Sequence, residues 1–351
     1  MLRFLPIIFA LVVTGCATAA APLVEPWDPV VGPTHEESPD HGEHWTISTT
    51  GTELNVATWA PLLDAEMERL AGIDNGGMIR RWNRRLARYD GVIEEALRSH
   101  NVPMDLRYVA MIESGGIPTA VSPMGAVGLW QFMEPTARDM GLRIDRYVDE
   151  RRDPVAASFA AARYLRFLYE QLDSWPLAVA AYNGGVGRIG RLVDETGLDD
   201  PYRLAAAGVL PSETAAFTPR VLAARNLSIG KGYASSAVSP LSYDTITVRE
   251  MRLEVVAEDF GVDVEEVLRL NPHLVRRKTP PMEDFSVRVP SANPTVVWNR
   301  RSDYANPVVA SSEPLASAGE SDLLERLQAA IESAPPSRGE SADQAHDGRQ
   351  G

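Results

Sequence analysis

Glu113 closes a strongly apolar run, Leu106 to Ile112, and is followed at once by Ser114-Gly115-Gly116. Helical spacing sets its carboxyl beside Val109 and Ala110, on the apolar side of the helix. Loss of water disfavours the charged form and raises a carboxyl pKa. A carboxyl kept protonated near neutrality is what a general acid requires. A solvated glutamate at a helix C-terminus fits this run equally well. The stretch that follows, to Met133, is rich in glycine and proline, and such a loop brings backbone close to another surface. It carries Ser122 and Gln131, uncharged hydrogen-bonding groups suited to sugar hydroxyls or acetamides. Trp130 and Phe132 add flat apolar surface, for a substrate or for the core. Glu134 and Asp139 are the next acids, but Glu134-Pro135 reads as a helix start.

The elements that must hold this stretch are helical. From 55 to 235 the apolar spacing predicts helices over Trp59 to Ala71, Met78 to Ala87, Val92 to Leu97, a segment starting at Asn101 and Pro103, Ala156 to Leu172, Pro176 to Tyr182, and Pro211 to Ile229. No strand series is visible there. Segment 243–290 differs. Thr245 to Val248 alternates like a strand, Leu253 to Phe260 and Val264 to Leu270 read as short helices, and Ser286 to Val289 reads as a second strand. The spacing of Arg80, Arg81, Arg84, Arg85 and Arg88 puts several of them on one helix face. They read first as a solvated face with local ion pairs, and second as an attractor of carboxylates.

The 351 residues carry a net charge of −14. That excludes the basic excess of a dedicated nucleic-acid binder. One cysteine allows no internal disulfide, and the six histidines form no zinc-like cluster, so no metal site is predicted. The acidity sits mainly at the ends. Residues 17–54 hold seven acids and no Lys or Arg, and read as a flexible tether. Residues 291–351 hold nine acids against five bases and read as a mostly disordered tail, with one apolar cluster at Leu323, Leu324, Leu327 and Ile331. Residues 1–16 read as a targeting segment, with Arg3, an apolar run from Leu5 to Val13, and then Val13-Thr14-Gly15-Cys16. This resembles a bacterial lipoprotein signal. The resemblance implies that Cys16 is lipidated and, with Ala17 after it, that the chain sits on the outer membrane facing the periplasm.

The run from Glu113 to Met133 resembles the lytic murein transglycosylases of the soluble-transglycosylase type, whose catalytic domain is related to goose-type lysozyme. Within that family it is most similar to the membrane-bound lytic transglycosylase D group. The pattern E-S-x(7)-S-x(2)-G-A-x-G-L-W-Q-F-M is met throughout. Ala181-Tyr182-Asn183 resembles a second family motif, and Val148 to Pro154 and Leu210 to Thr214 also look like the group. The likeness runs from about Ile79 to Pro290. It implies a mainly α protein: a lysozyme-like (goose-type) catalytic domain at 55–235, followed by a small α+β module at 240–290 resembling a degenerate LysM. The usual Gly-Asp-Thr of a LysM first loop is absent, and Arg276 to Pro281 looks inserted, so the module either binds glycan or packs on the catalytic domain. Gly116 stands where many relatives have a larger residue, and Gly184-Gly185-Val186 replaces the commoner Ala-Gly-Glu.

The resemblance also implies roles. Glu113 is the single catalytic acid/base. Ser122, Gly128, Gln131, Met133, Tyr182 and Asn183 line the substrate groove, with Asn183 supporting Tyr182. The partners implied are peptidoglycan strands and, through lipid on Cys16, a membrane; no cofactor and no nucleic acid are implied, and protein partners are left unspecified. The reaction implied is non-hydrolytic cleavage between N-acetylmuramic acid and N-acetylglucosamine, leaving a 1,6-anhydromuramyl end. Two other readings remain: a lysozyme-type hydrolase of the same bond, and a peptidoglycan-binding lipoprotein without catalysis.

Overall fold

The computed structural model describes residues 48–49, 52–53, 56–233 and 238–291. The readings at Cys16, over most of the 17–54 tether and over the tail lie outside the described residues. Part of the tether departs from the expectation: Ser48–Thr49 (β1) pairs antiparallel with Thr52–Glu53 (β2). The threonine-rich sequence there favours extended backbone.

Among the described residues, ten helices build the main body: α1 (Val56–Gly72), α2 (Gly77–Leu86), α3 (Asp90–Ser99), α4 (Arg107–Ser114), α5 (Glu134–Asp139), α6 (Pro154–Leu172), α7 (Trp175–Gly184), α8 (Val186–Thr196), α9 (Pro201–Ala206) and α10 (Ser212–Gly230). The fold is mainly helical, as the pattern predicts. Several starts are written locally as a capping side chain followed by proline. Asp153 accepts from Val155 N–H ahead of α6, Ser174 from Leu177 N–H ahead of α7, and Asp200 from Tyr202 and Arg203 N–H ahead of α9. The start expected at Asn101 falls later. Asn101 takes a left-handed conformation, and a 3₁₀ turn over Met104–Leu106 leads into α4. Helix α8, which apolar spacing does not predict, contains two glycines and buries only Ile189.

Two helices form the centre. Every residue of α4 from Tyr108 to Ile112 is buried, as is every residue of α7 from Trp175 to Ala181. Ala157, Ala160, Ala161 and Ala162 of α6 have no exposed surface, which lets neighbouring helices approach closely. Helix α10 packs against α1, α4 and α7. Asn83 of α2 donates to Ser228 of α10 at 2.8 Å, so the polar groups at that crossing are matched.

The second unit is a β-α-α-β module. Strand β3 (Asp244–Arg249) pairs antiparallel with β4 (Asp284–Val289), Asp244 opposite Val289, around α11 (Leu253–Phe260) and α12 (Val264–Leu270). Its core of Ile246, Val248, Leu253, Val256, Val267, Val287 and Val289 also takes in Val148, from the connection between α5 and α6. The module packs on the helical body. Asp149 N–H donates to His273 C=O at 2.9 Å, and Val275 N–H to Tyr147 C=O at 3.0 Å. Arg288 forks onto the buried Asp153 carboxylate at 2.9 and 2.7 Å. Burial pushes the Asp153 carboxyl up, but Arg288 and His273 outweigh it and hold the carboxyl below its ordinary value. The segment after Arg276 is part of this packing, since Leu253 N–H donates to Arg277 C=O and Thr279 N–H to Met251 C=O, both at 2.9 Å.

Removing one partner of a buried, hydrogen-bonded ion pair costs about 3–5 kcal/mol. Arg288→Met should therefore lower stability to urea by that amount. Adding Asp153→Asn, which keeps the α6 cap, should cost much less than the two single changes summed.

Candidate active site

Glu113 is the penultimate residue of α4, and the helix ends there for local reasons. Gly115 and Gly116 take positive φ values of 59° and 76°, where a side chain is strained. Gly115 N–H closes the helix on Met111 C=O at 2.9 Å. The Ser114 hydroxyl accepts from Gly116 and Ile117 N–H, both at 3.2 Å, and so shapes the turn. Both glycines lie against α2. A Cβ on Gly115 would stand 2.6 Å from the Trp82 indole nitrogen, and one on Gly116 would stand 2.9 Å from the Arg85 Cβ. A larger residue at 116 would force α2 away, which gives a steric reason for glycine at that position.

The Glu113 carboxyl is mostly buried and makes no hydrogen bond among the described residues. Burial pushes it up to about 8; the negative charge of Glu213 adds to this, and Arg220 opposes it. Both Glu213 and Arg220 lie on α10. The Glu213 carboxyl is itself raised, by burial, with Arg220 opposing. Arg220 is shared with Glu66 of α1 at 3.3 Å. Glu213 is a site residue that the Glu113 motif does not reveal. Its sequence signal was the family-like stretch Leu210 to Thr214, which carries no role by itself.

The loop from 117 to 133 is held by its own polar groups. Gln131, buried and at a positive φ of 50°, donates from its amide nitrogen to Gly128 C=O at 2.8 Å and Ala120 C=O at 3.3 Å. A non-glycine residue in that region is strained, and such strain gathers at functional sites. The Ser122 hydroxyl accepts from Ala126 N–H at 3.0 Å. Gly128 has φ 94°, and a Cβ there would meet Arg151 C=O at 1.7 Å, so the position admits only glycine. Trp130 has no exposed surface and donates to Ser158 at 3.0 Å; with Phe132 it belongs to the core. Val121, Met124 and Met133 are exposed apolar side chains on the same loop.

Tyr182 joins this loop to α7. Its hydroxyl donates to Trp130 C=O at 2.8 Å, and its ring packs 5.5 Å from Tyr164 and 6.4 Å from Phe132. Burial raises the phenol well above its ordinary value, and so does the charge of Glu113, which places the two groups in one electrostatic neighbourhood. Asn183 accepts from Thr214 of α10 at 2.5 Å, next to Glu213. Gly184 completes that joint, because a Cβ there would stand 3.1 Å from the Thr214 methyl. The fold thus gathers Glu113, Tyr182 and Asn183 at the meeting of α4, α7 and α10, with Gln131, Gly128 and Ser122 in the loop tied to Tyr182. Cys16 lies outside the described residues. Two residues beyond the motif hold the loop. Arg151 forks onto Asp149 at 2.9 and 3.0 Å and donates to Gly125 C=O at 3.2 Å and Phe132 C=O at 3.4 Å.

Among the described residues, no group of His, Cys, Asp and Glu could hold a metal ion, and no helix is long and apolar enough to cross a membrane.

Residues 90–203 match the family described as Transglycosylase SLT domain. That match holds Glu113, the loop and Tyr182–Asn183, and stops before Glu213. Membrane-bound lytic murein transglycosylase D of Escherichia coli strain K12 is 35% identical over 128 residues, 36% of this chain and 28% of that protein. Peptidoglycan transglycosylase gp16 of Escherichia phage T7 is 43% identical over 105 residues, 29% of this chain and 8% of that protein. A solved structure, an inactive mutant of the lytic transglycosylase Slt from Pseudomonas aeruginosa, aligns at 20% identity and TM-score 0.34 over 42% of this chain and 24% of that one. The match spans less than a third of the length of either relative. Residues 90–203 thus carry a match to the Transglycosylase SLT domain family, and over 128 residues the chain is similar to membrane-bound lytic murein transglycosylase D.

Proposed function

We propose that this chain is a lytic transglycosylase of peptidoglycan. The observation that carries the reading is Glu113: a carboxyl pushed up to about 8, without a hydrogen-bond partner among the described residues, at the head of the motif loop. At neutral pH this group is mostly protonated and can donate. It protonates the glycosidic oxygen between N-acetylmuramic acid and N-acetylglucosamine. The acetamide oxygen of the muramyl residue stabilises the oxocarbenium-like centre. Glu113, now a carboxylate, takes the proton of the C6 hydroxyl as that oxygen closes on C1. The products are a 1,6-anhydromuramyl end and a free N-acetylglucosamine hydroxyl. No water is consumed, and Glu113 ends in the protonation state it began with.

Tyr182 and Gln131 keep the loop in place beside the acid. The Ser122 hydroxyl proton has no acceptor among the described residues and is available to the glycan, and Met133 offers an exposed apolar edge. Gly128 and Asn183 act through the backbone and joints they permit. The names of the relatives support a place in the cell envelope, and the Cys16 signal supports attachment there by lipid to an outer membrane, with the enzyme facing the periplasm.

Purified sacculi incubated with the protein should yield anhydromuramyl ends by mass spectrometry. Glu113→Gln should reduce their formation by about 10²–10⁴-fold. Reducing ends that disappear in Glu213→Gln would instead assign a hydrolase in which Glu213 activates water.

The raised carboxyl has two consequences for pH. Activity should fall as pH rises through about 8, where Glu113 loses its proton. Glu213→Gln removes a negative charge that raises Glu113, so in that variant the alkaline limb of kcat/KM should move to lower pH. Stability follows the same titration. The folded carboxyl titrates near 8 and the unfolded one near 4.5, so the stability held below pH 4.5 is lost progressively up to pH 8. Glu113→Gln should be more stable than wild type to urea at pH 8, by about 4 kcal/mol, with the gap closing toward pH 4.5.

A further inference from the structure

A cleft of about 690 Å³ lies between the helical body and the β-α-α-β module, where Gly116 of the turn after α4 lines it. Arg84, Arg85 and Arg88 line one wall, Arg269 and Arg277 of the module line the other, and Arg152 completes the set. Among the described residues no aspartate or glutamate lines it, in a chain whose net charge is −14. One side is the segment from Gly116 to Thr119, which begins three residues after Glu113.

The arginines on this face are not the locally paired set expected from sequence. Arg84, Arg88 and Arg277 have no carboxylate within ion-pair distance among the described residues. Arg85 reaches only a backbone carbonyl, Gly115 C=O at 3.4 Å. Arg152 stands 3.6 Å from the Asp149 carboxylate, and its buried Nε has no hydrogen-bond partner. Arg269 is ion-paired to Glu266, whose carboxyl also feels the charge of Arg88. Like charges gathered in one concave site repel each other and focus a positive potential. Guanidinium groups in that arrangement fit planar carboxylates.

We propose that this cleft binds the carboxylates of the peptide stem carried by the muramyl residue. The inference rests on the peptidoglycan reading above. In a peptide-bearing strand the lactyl carboxylate is consumed in the amide bond, so the free carboxylates of the strand are those of the peptide. A volume of this size suits a short peptide. Its place beside the Glu113 turn lets one strand present a glycosidic bond to the acid and a stem to the arginines. The module then contributes to substrate choice through Arg269 and Arg277, whether or not it contacts sugar.

The test uses the full chain and the variant Arg84→Gln/Arg88→Gln/Arg277→Gln. These three side chains are exposed and outside the catalytic machinery, so the fold should survive. Free stem tetrapeptide titrated calorimetrically into the wild type should bind, with affinity that falls as NaCl is raised. The variant should bind about tenfold more weakly. On peptide-bearing strands the variant should show a raised KM and unchanged kcat; on strands stripped of peptide by an amidase it should match the wild type. Equal tetrapeptide affinity in both proteins, no binding by the wild type, or an equal loss on both substrates would overturn the assignment. Binding of tetrapeptide without cleavage of any strand would overturn the transglycosylase reading and still support the cleft's ligand.

Discussion

The buried ion pair between Asp149 and Arg151 is the constraint on which the site depends. Taking two charges out of water is unfavourable, and the mutual attraction offsets this only when geometry is good and the remaining donors are satisfied. Here the guanidinium forks onto the carboxylate, and its other donors reach Gly125 and Phe132 carbonyls on the motif loop. The Arg151 carbonyl occupies the space that a side chain on residue 128 would need. One residue therefore holds the loop through both its side chain and its backbone. Its neighbours in sequence do the same for the module: Val148 enters the module core, Asp149 N–H meets His273 C=O, and Asp153 both caps α6 and holds Arg288. A segment of six residues thus fixes the loop, the long helix and the module relative to one another.

That rigid frame makes the electrostatics of Glu113 possible. An ionisable group left without partners in a mostly buried position is unfavourable when charged, and a yielding structure would relieve this by admitting water or moving a cation close. Here α10 presents Glu213 toward the carboxyl and engages Arg220 with Glu66. Burial and the Glu213 charge together outweigh Arg220 and favour the protonated form of Glu113. Stability given up at one side chain in this way is a usual accompaniment of a working acid.

Much of this was legible in sequence where the information is local. The ends of α11 and α12 follow from Gly261, the Asp263 cap and the break at Asn271-Pro272, and both helices lie where periodicity puts them. The apolar face of α4 offered a buried Glu113 as one of two equal readings, and packing against α10 decides between them. The missing pieces are long-range. Glu213 lies 100 residues from Glu113, and its family-like stretch, Leu210 to Thr214, carries no sign of which residue the fold brings to the acid. Whether Trp130 faces substrate or core is decided by Ser158, a hydrogen-bond partner 28 residues away. Gln131 has nothing in its residue type to announce a left-handed backbone; its own side-chain bonds to Gly128 and Ala120 hold it there. Arg151 stood in the family-like stretch Val148 to Pro154 with no role of its own, yet it is buried. Helix α8 was missed because two glycines and a single buried side chain leave almost no apolar period.

The two glycines after Glu113 connect these levels. Positive φ at Gly115 and Gly116 ends α4 at the acid, and the absence of side chains lets α2 lie against the turn, with Trp82 and Arg85 in contact range. Because α2 is seated that closely, its exposed arginines stand over the segment that begins at Gly116. Leu241 N–H, on the approach to β3, donates to Arg88 C=O at 2.8 Å and ties the module's leading segment to the end of the same arginine run. A bulkier residue at 116 would displace α2, and with it both the arginine wall and this tie. The glycine at 116 is therefore coupled to the geometry of the basic cleft, and the acid and the cleft share one backbone element.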